Sequence, residues 1–290
     1  MSYCVDIRTE KRVEPQSIFA TLANLNQEIE VVSDSFPTLR FGTVKYALRG
    51  VEISEEDYGY EVRICSMASM ADYQLFPFAV LVMKELTGGE VYSEDDPDKS
   101  IKEPKKRFGL KWRRMQTEAS WNITCALIRD MNEKIIFNGL FAPFAIGPNM
   151  LKCFEVDLDN PTGGQGYKRL EYDLFKKQWL LRDLIPANNS LAIRDPENEN
   201  HLLTLSAIQI KDGDVQDFGY ISVADLFGFI NSDTGEVVII KFDDLLKVMT
   251  SDKFMQIDES QLVRIDDFSV SDFCEAMERA KEFRIRTERK

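Results

Sequence analysis

The stretch YGYEVRICSMASMADYQLFPFAVLVMKELTGGEVYS, residues 58–93, decides the expected fold of the N-terminal half. It opens with an alternating strand at Tyr58–Ile64 and closes with a second strand at Glu90–Ser93. Between them, five apolar residues share one helical face: Phe76, Ala79, Val80, Met83 and Leu86. The pattern therefore predicts a strand, a helix and a strand in succession.

The ends of this helix carry recognisable signals. Ser66 and Ser69 are competing N-caps, because a serine oxygen accepts the first free backbone N–H groups. Gly88 is typical of a C-cap, where the backbone turns left-handed. Pro77 lies inside the pattern, so we expect the helix either to begin near it or to kink there.

Upstream residues extend the pattern. Residues 3–7 alternate as a half-buried strand, and a helix is expected after Pro15. Ile29–Val32 and Leu39–Leu48 are strand-like. The resulting order is β-α-β-β-α-β elaborated by one further strand, so we expect an α+β protein with a ferredoxin-like domain at residues 1–93.

Residues 94–114 mark a change in composition. Acidic residues give way to basic ones, with Pro97 and Pro104 and little apolar content, which predicts a charged linker or long loop. We expect a second α/β domain at residues 115–290, with a subdivision near residue 212.

The second half contains fewer clear signals. Trp121–Ile128 is strand-like, Tyr167–Leu184 has a helical pattern, and Leu202–Ile210 is a third expected element, a strand. Acids also fall near three expected helix starts, at Asp225, at Asp243 or Asp244, and at Asp272. We interpret these acids as structural, because a carboxylate complements the dipole at a helix N-terminus.

The stretch FEVDLDNPTGGQGYKRLEYDLF, residues 154–175, is typical of a strand, a glycine-rich bend and a helix. It lacks the lysine–hydroxyl pair of a phosphate-binding loop and the third glycine of a dinucleotide fingerprint. It also lacks most ligands of a calcium loop, so we expect no metal site there. A helix start beside basic residues remains a candidate anion site, formed by Gly164, Gly166, Lys168 and Arg169.

The run Lys102–Arg114 is a candidate basic patch with interleaved aromatic residues. Its central members are Lys105, Lys106, Arg107, Lys111 and Arg113. Basic and aromatic residues together are typical of single-stranded nucleic-acid binding. The neighbouring acids favour a solvated surface segment instead.

Composition narrows the functional classes. The 290 residues carry a formal net charge of −13, which argues against nucleic acid and anionic membranes and fits a basic protein partner. The one histidine, His201, is expected at a surface or strand edge, and we expect no cofactor. No apolar leader opens the sequence and no apolar run is long enough to span a bilayer, so we expect a cytoplasmic protein.

Three stretches carry a resemblance to known proteins. They are residues 60–96 (YEVRIC…EDD), residues 138–151 (NGLFAPFAIGPNML) and residues 262–283 (LVRIDD…KEF). Together they resemble uncharacterised bacterial proteins of similar length that share a domain of unknown function. The resemblance implies a bacterial cytoplasmic protein and transfers no catalytic residue.

Three functions stay open from the sequence. The first is a non-enzymatic, immunity-like interaction protein that presents an acidic surface to a basic protein. The second is an enzyme or small-ligand-binding protein that uses carboxylates in an inter-domain cleft. The third is nucleic-acid binding through residues 102–114.

Overall fold

The computed structural model describes residues 2–285 apart from Asn26, residues 195–201, Val223, Ser251 and residues 259–260. The chain divides into two compact units. Unit 1 comprises Met1–Ala142 and Gly147–Trp179, and unit 2 comprises Pro143–Ile146 and Leu180–Lys290. The expected surface position of His201 lies outside the described residues.

Unit 1 contains strands and helices in alternation. The strands are β1 (Ser2–Arg8), β2 (Ile29–Ser33), β3 (Thr38–Thr43), β4 (Val51–Glu56), β5 (Gly59–Cys65), β6 (Glu90–Ser93) and β7 (Ile135–Asn138). The helices are α1 (Pro15–Asn24), α2 (Met70–Thr87), α3 (Pro104–Arg107), α4 (Leu110–Met131), α5 (Pro148–Cys153) and most of α6 (Gln165–Leu181).

An antiparallel sheet forms the framework of unit 1. Six of the described strands are ordered β2-β3-β4-β5-β1-β6, and each is antiparallel to its neighbours. The α+β class is confirmed, but the clean ferredoxin-like order is wrong, because four strands separate α1 from α2. The expected strand Leu39–Leu48 ends at Thr43, since the chain turns at Lys45 with φ +66°.

The core of unit 1 explains the alternation at the N-terminus. Tyr3, Val5 and Ile7 are buried, and β1 lies between β5 and β6 with Val5 opposite Val62. Helices α1 and α2 pack against each other and bury Ile18 and other apolar side chains in the same cluster. Burial of these side chains supplies the main driving force for this unit.

The predicted helix of residues 58–93 is α2, and its caps are resolved. Ser69 rather than Ser66 is the N-cap, and its hydroxyl accepts the Asp72 N–H at 3.0 Å. Gly88 ends the helix with φ +71°, as predicted. The helix begins seven residues before Pro77 and continues through it.

Residues 94–114 belong to unit 1 and include α3 and the first turn of α4. Phe108 and Trp112 from this segment are buried in the core of unit 1, where the Trp112 ring lies 5.1 Å from that of Tyr3. The expected strand Trp121–Ile128 is wrong, because these residues lie inside α4. Trp121, Cys125 and Ile128 are buried there at helical spacing.

The stretch 154–175 is only partly as predicted. Its expected opening strand is wrong, because α5 ends at Cys153 and Glu155 adopts φ +55°, which breaks an extended run. The expected helix at Tyr167–Leu184 is confirmed as α6, which begins two residues earlier.

Unit 2 is also mixed. Its strands are β8 (Pro143–Ile146), β9 (Asn188–Arg194), β10 (Leu202–Lys211), β11 (Asp214–Val215), β12 (Tyr220–Ile221), β13 (Leu226–Asn231), β14 (Glu236–Lys241), β15 (Phe254–Asp258) and β16 (Gln261–Arg264). Its helices are α7 (Leu245–Val248) and α8 (Val270–Ala280), with short 3-10 turns at Phe242–Asp244 and Lys281–Phe283. The strand predicted at Leu202–Ile210 is confirmed as β10.

Two sheets organise unit 2. One has the order β11-β10-β13-β14, with β9 also paired to β10, and the other has the order β12-β16-β15. The β10–β13 pair is parallel, and the others are antiparallel. Phe229 packs edge-on against Phe273 of α8 in the core of this unit.

The acids expected at helix starts differ in outcome. Asp272 occupies the first turn of α8 and forms a capping box with Ser269, as predicted. Asp243 and Asp244 lie in the 3-10 turn before α7. The prediction for Asp225 is wrong, because β13 follows it and its carboxylate accepts the Thr204 N–H at 2.7 Å. Across the described residues, no helix is both long and apolar enough to cross a membrane.

Candidate functional site

A cavity of about 430 Å³ lies within unit 1. It is bounded by the start of β1, the end of β5, the first turn of α2, the residues after β6, helix α4 and strand β7. This volume is in the range of small-molecule sites, roughly 300–1,000 Å³. We call this cavity the α4 pocket.

The apolar wall of the α4 pocket comes mainly from α4. Ala119, Ile123 and Leu127 line it at intervals of four residues, so they follow one edge of the helix. Ile123 and Leu127 are 41% and 45% exposed, so both present apolar surface to the pocket. Ile135 and Phe137 add apolar area from one face of β7.

Carboxylates stand at another part of the α4 pocket. The Tyr3 hydroxyl donates to Asp95 at 2.6 Å, and the Arg107 guanidinium donates to the same oxygen at 3.2 Å. Partial burial raises the pKa of Glu94 above its ordinary value. Burial and then the bond to Asp95 also raise the pKa of Tyr3, so its hydroxyl stays protonated and donates.

Hydroxyl groups line a third part of the pocket. Ser120 accepts the backbone N–H of Met67 at 2.6 Å, and Met67 has φ +61°. Burial raises the pKa of Tyr73, and a hydrogen bond with Ser120 partly opposes that rise. The Tyr73 hydroxyl is therefore neutral near pH 7 and provides a polar contact inside the pocket.

Asp72 anchors the first turn of α2, which carries Tyr73. One oxygen of this fully buried carboxylate accepts three backbone N–H groups, from Leu48 at 3.0 Å, Arg49 at 3.0 Å and Ser69 at 2.9 Å. A buried oxygen requires such partners. The α2 end of the pocket is therefore held by strong local bonds.

Arg49 fixes two further lining residues. Its guanidinium donates to the carbonyl of Ser66 at 2.6 Å and to that of Asn138 at 2.9 Å. It also lies 5.9 Å from the centre of the Phe137 ring. Burial lowers the pKa of Arg49, although the bonds to the two carbonyls suit the charged form. Ser66 and Phe137 are thus positioned by one side chain.

The candidate anion residues lie outside the α4 pocket, at the start of α6. Arg169 pairs with Glu155 at 2.8 Å and donates to the Phe154 carbonyl at 3.2 Å. A Cβ at Gly166 would lie 2.4 Å from the same carbonyl, so the backbone approaches closely there. Gly164 and Lys168 are exposed. Anion binding at this position stays a prediction.

The candidate basic patch lies on α3 and the first turn of α4. The Lys105 Nζ lies 4.6 Å from the centre of the Phe78 ring, and Lys106 pairs with Glu103 at 3.5 Å. Arg107 pairs with Asp95, which connects the patch to the α4 pocket. Lys111 is exposed and Arg113 is half-buried. Nucleic-acid binding by this patch stays a prediction.

The lining residues of α4 are not among the sites expected from the sequence. The strand expected at residues 121–128, WNITCALI, hides the four-residue spacing of Ala119, Ile123 and Leu127. That spacing was the available signal, because it marks one helix edge beside the buried face of Trp121 and Cys125. Within the described residues, no group of three or more metal-ligating side chains occurs.

Comparison with known proteins gives no match to a family model, to a curated protein or to a solved structure. The resemblance of the three stretches to bacterial proteins therefore stays a prediction.

Proposed function

We propose that this protein is a non-enzymatic interaction protein that binds a basic partner protein, and that the α4 pocket receives part of that partner. One observation carries the proposal. The pocket combines the exposed side chains of Ile123 and Leu127 with the carboxylates of Glu94 and Asp95, and no Lys or Arg is among the described residues that line it.

The physical basis is the combination of apolar burial and charge. Covering apolar surface contributes about 25 cal/mol per Å². A few well-buried side chains in such a pocket supply most of the affinity of an interface. The formal net charge of −13 also accelerates encounter with a cationic partner.

Differential capture tests this function. The wild-type chain, Leu127→Asp and the control Leu110→Asp are immobilised and exposed to a lysate of the cells that make the protein. Leu110 is 51% exposed on the same helix but does not line the pocket. We expect a basic protein that is retained by wild type and Leu110→Asp, lost with Leu127→Asp, and released by salt. Identical retention on all three would contradict the proposal.

A second candidate function is small-ligand binding or catalysis with carboxylates. The volume of the α4 pocket and the raised pKa of Glu94 favour it. This candidate predicts that a small organic cation raises the melting temperature of wild type, and that Glu94→Gln abolishes the increase. An unchanged melting temperature across a series of alkylammonium ions would contradict this candidate function.

A third candidate is nucleic-acid binding through residues 102–114. A cavity of about 390 Å³ favours it, since four basic residues, Lys99, Lys102, Lys106 and Arg107, line it beside two acids, Asp96 and Glu103. Binding of single-stranded nucleic acid should then weaken with salt and disappear when residues 105–107 become alanine. Binding that survives those changes would contradict this candidate.

We also propose a ferredoxin-like unit and an immunity-like role for this protein. The sheet order β4-β5-β1-β6 with α1 and α2 supports a ferredoxin-like unit extended by β2 and β3. The resemblance noted above supports an immunity-like role in a bacterial cytoplasm. A ferredoxin-like shape serves many functions, so the pocket rather than the fold carries the functional argument.

A further inference from the structure

We infer that the α4 pocket receives a basic amphipathic helix of the partner protein, laid along α4 with its cationic end at Glu94 and Asp95. This inference rests on the proposed function and specifies the partner segment. It follows from the spacing of the apolar wall, from the position of the acids along α4, and from the charges around them.

The spacing of the wall favours a helix. Ala119, Ile123 and Leu127 repeat every four residues, about 6 Å apart along the helix axis. The exposed Met131 continues this series. A partner helix with apolar residues at i and i+4 has the same repeat. An extended segment gains affinity mainly by bonding to an open sheet edge, whereas the backbone groups within α4 bond to each other.

The acids lie toward the N-terminal end of α4. The Tyr3 ring contacts Trp112 in the first turn of α4, and its hydroxyl bonds to Asp95. Gln116, one turn further along, is the first residue of α4 among those that line the pocket, so we place the acids beside it in this inference. From Gln116 to Ile123 the helix rises about 10 Å, or two turns. A helix lying along α4 would therefore carry its cation about two turns from its apolar pair.

The charges near Glu94 and Asp95 allow these acids to bind a cation of the partner. Arg107 is the cation paired with Asp95, but both side chains are about half exposed, so this pair contributes little. Partial burial raises the pKa of Glu94, and a nearby cation would favour its charged form. A guanidinium from the partner can therefore bind these acids at small cost.

A peptide series tests the inference. The probe is a synthetic alanine/glutamine-based helix with leucines at i and i+4 and two arginines placed two turns beyond them. Three matched peptides accompany it. The first has its arginines one turn from the leucines, the second has them on the other side of the leucines, and the third has glutamates in their place. Binding to the full chain is followed by calorimetry. Two of these peptides have arginines two turns from the leucines, one on each side. We expect one of the two to bind ~10-fold more tightly than the peptide with arginines one turn away and the peptide with glutamates.

Variants locate the contact. We expect Leu127→Ser to weaken binding ~10-fold, and Glu94→Gln to weaken it ~5-fold and to reduce its salt dependence. The controls Leu110→Ser and Glu118→Gln change exposed positions of α4 outside the pocket, and they should leave the affinity unchanged. Circular dichroism and melting temperature verify that each variant remains folded.

Three outcomes would overturn the inference: no peptide binds, the glutamate peptide binds equally well, or octylammonium alone binds as tightly as the arginine peptide. The last outcome would indicate a small-ligand site. If differential capture still finds a partner that depends on Leu127, only the helical segment is wrong and the proposed function stands. If differential capture finds no such partner either, the inference and the proposed function are both wrong.

Discussion

The hydroxyl of Tyr3, on the first strand, donates a 2.6 Å hydrogen bond to Asp95, which lies 92 positions later in the chain. The same ring contacts Trp112 at a centroid distance of 5.1 Å. One side chain therefore joins β1, the segment after β6 and the first turn of α4. Strand β1, the segment after β6 and later turns of α4 all contribute to the α4 pocket.

Replacing Tyr3 by phenylalanine keeps the ring contacts and removes the hydroxyl. We expect Tyr3→Phe to lower the free energy of unfolding by about 1 kcal/mol, the usual net value of such a bond. Urea denaturation measures the loss. Tyr172→Phe, at a position that is 57% exposed, is the control and should have no effect. Equal stability of the two variants would show that the bond contributes nothing.

Asp72 and Asp272 offer a matched pair of capping boxes, one buried and one half-buried. Each accepts the backbone N–H of a serine three residues earlier, but Asp72 also accepts the N–H groups of Leu48 and Arg49. We expect Asp72→Ala to cost about 3 kcal/mol or more, because it leaves buried donors unpaired. Asp272→Ala should cost about 1 kcal/mol. Similar losses in urea denaturation would contradict the role of Asp72.

Gly59 tests the backbone of the N-terminal sheet, and Gly235, in the turn between β13 and β14 of unit 2, is its control. Gly59 has φ +139°, and a Cβ there would lie 2.1 Å from the Ile7 carbonyl oxygen. Gly235 has φ +75° with nothing within 4 Å of its Cβ position. We expect Gly59→Ala to destabilise the protein by about 3 kcal/mol through strain and clash. Gly235→Ala should cost about 1 kcal/mol. Thermal unfolding measures both losses of stability. A larger loss for Gly235→Ala than for Gly59→Ala would contradict the β1–β5 register.

The capping box of α8 predicts a pH dependence. Hydrogen bonds from Ser269 hold the pKa of Asp272 below its ordinary value. A depressed pKa means that the charged form contributes stability above the unfolded pKa of about 4. That contribution is lost as the pH falls through the folded value. The stability difference between wild type and Asp272→Asn should therefore shrink between about pH 5 and pH 2. A constant difference across this range would contradict the shift.

Local patterns predicted the elements that depend on near neighbours. The alternation of Tyr3, Val5 and Ile7 predicts β1, and Gly88 predicts the end of α2, whereas two serines and Pro77 leave the start of that helix open. The strand prediction for residues 121–128 is wrong because every second residue of this run is apolar, as in a strand: Trp121, Ile123, Cys125 and Leu127. Packing of Trp121 and Cys125 in the interior favours the helix over the strand.

The α4 pocket could not be predicted from local patterns. Its lining comes from elements as distant in sequence as Tyr3 and Phe137, so only the folded topology brings them together. The sequence did indicate acidic character through its net charge and did single out Arg107. It placed Arg107 in a linker, whereas neighbouring Phe108 is fully buried in the core of unit 1.

The most direct test of the account is a methyl NMR titration of the full chain with the two-turn arginine peptide. We expect saturable shifts of the methyl groups of four residues that line the pocket: Ile64, Ile123, Leu127 and Ile135. Leu110 and Leu246, exposed elsewhere, should not shift. Saturable shifts confined to other methyl groups, or no shifts at peptide concentrations that saturate binding by calorimetry, would contradict it.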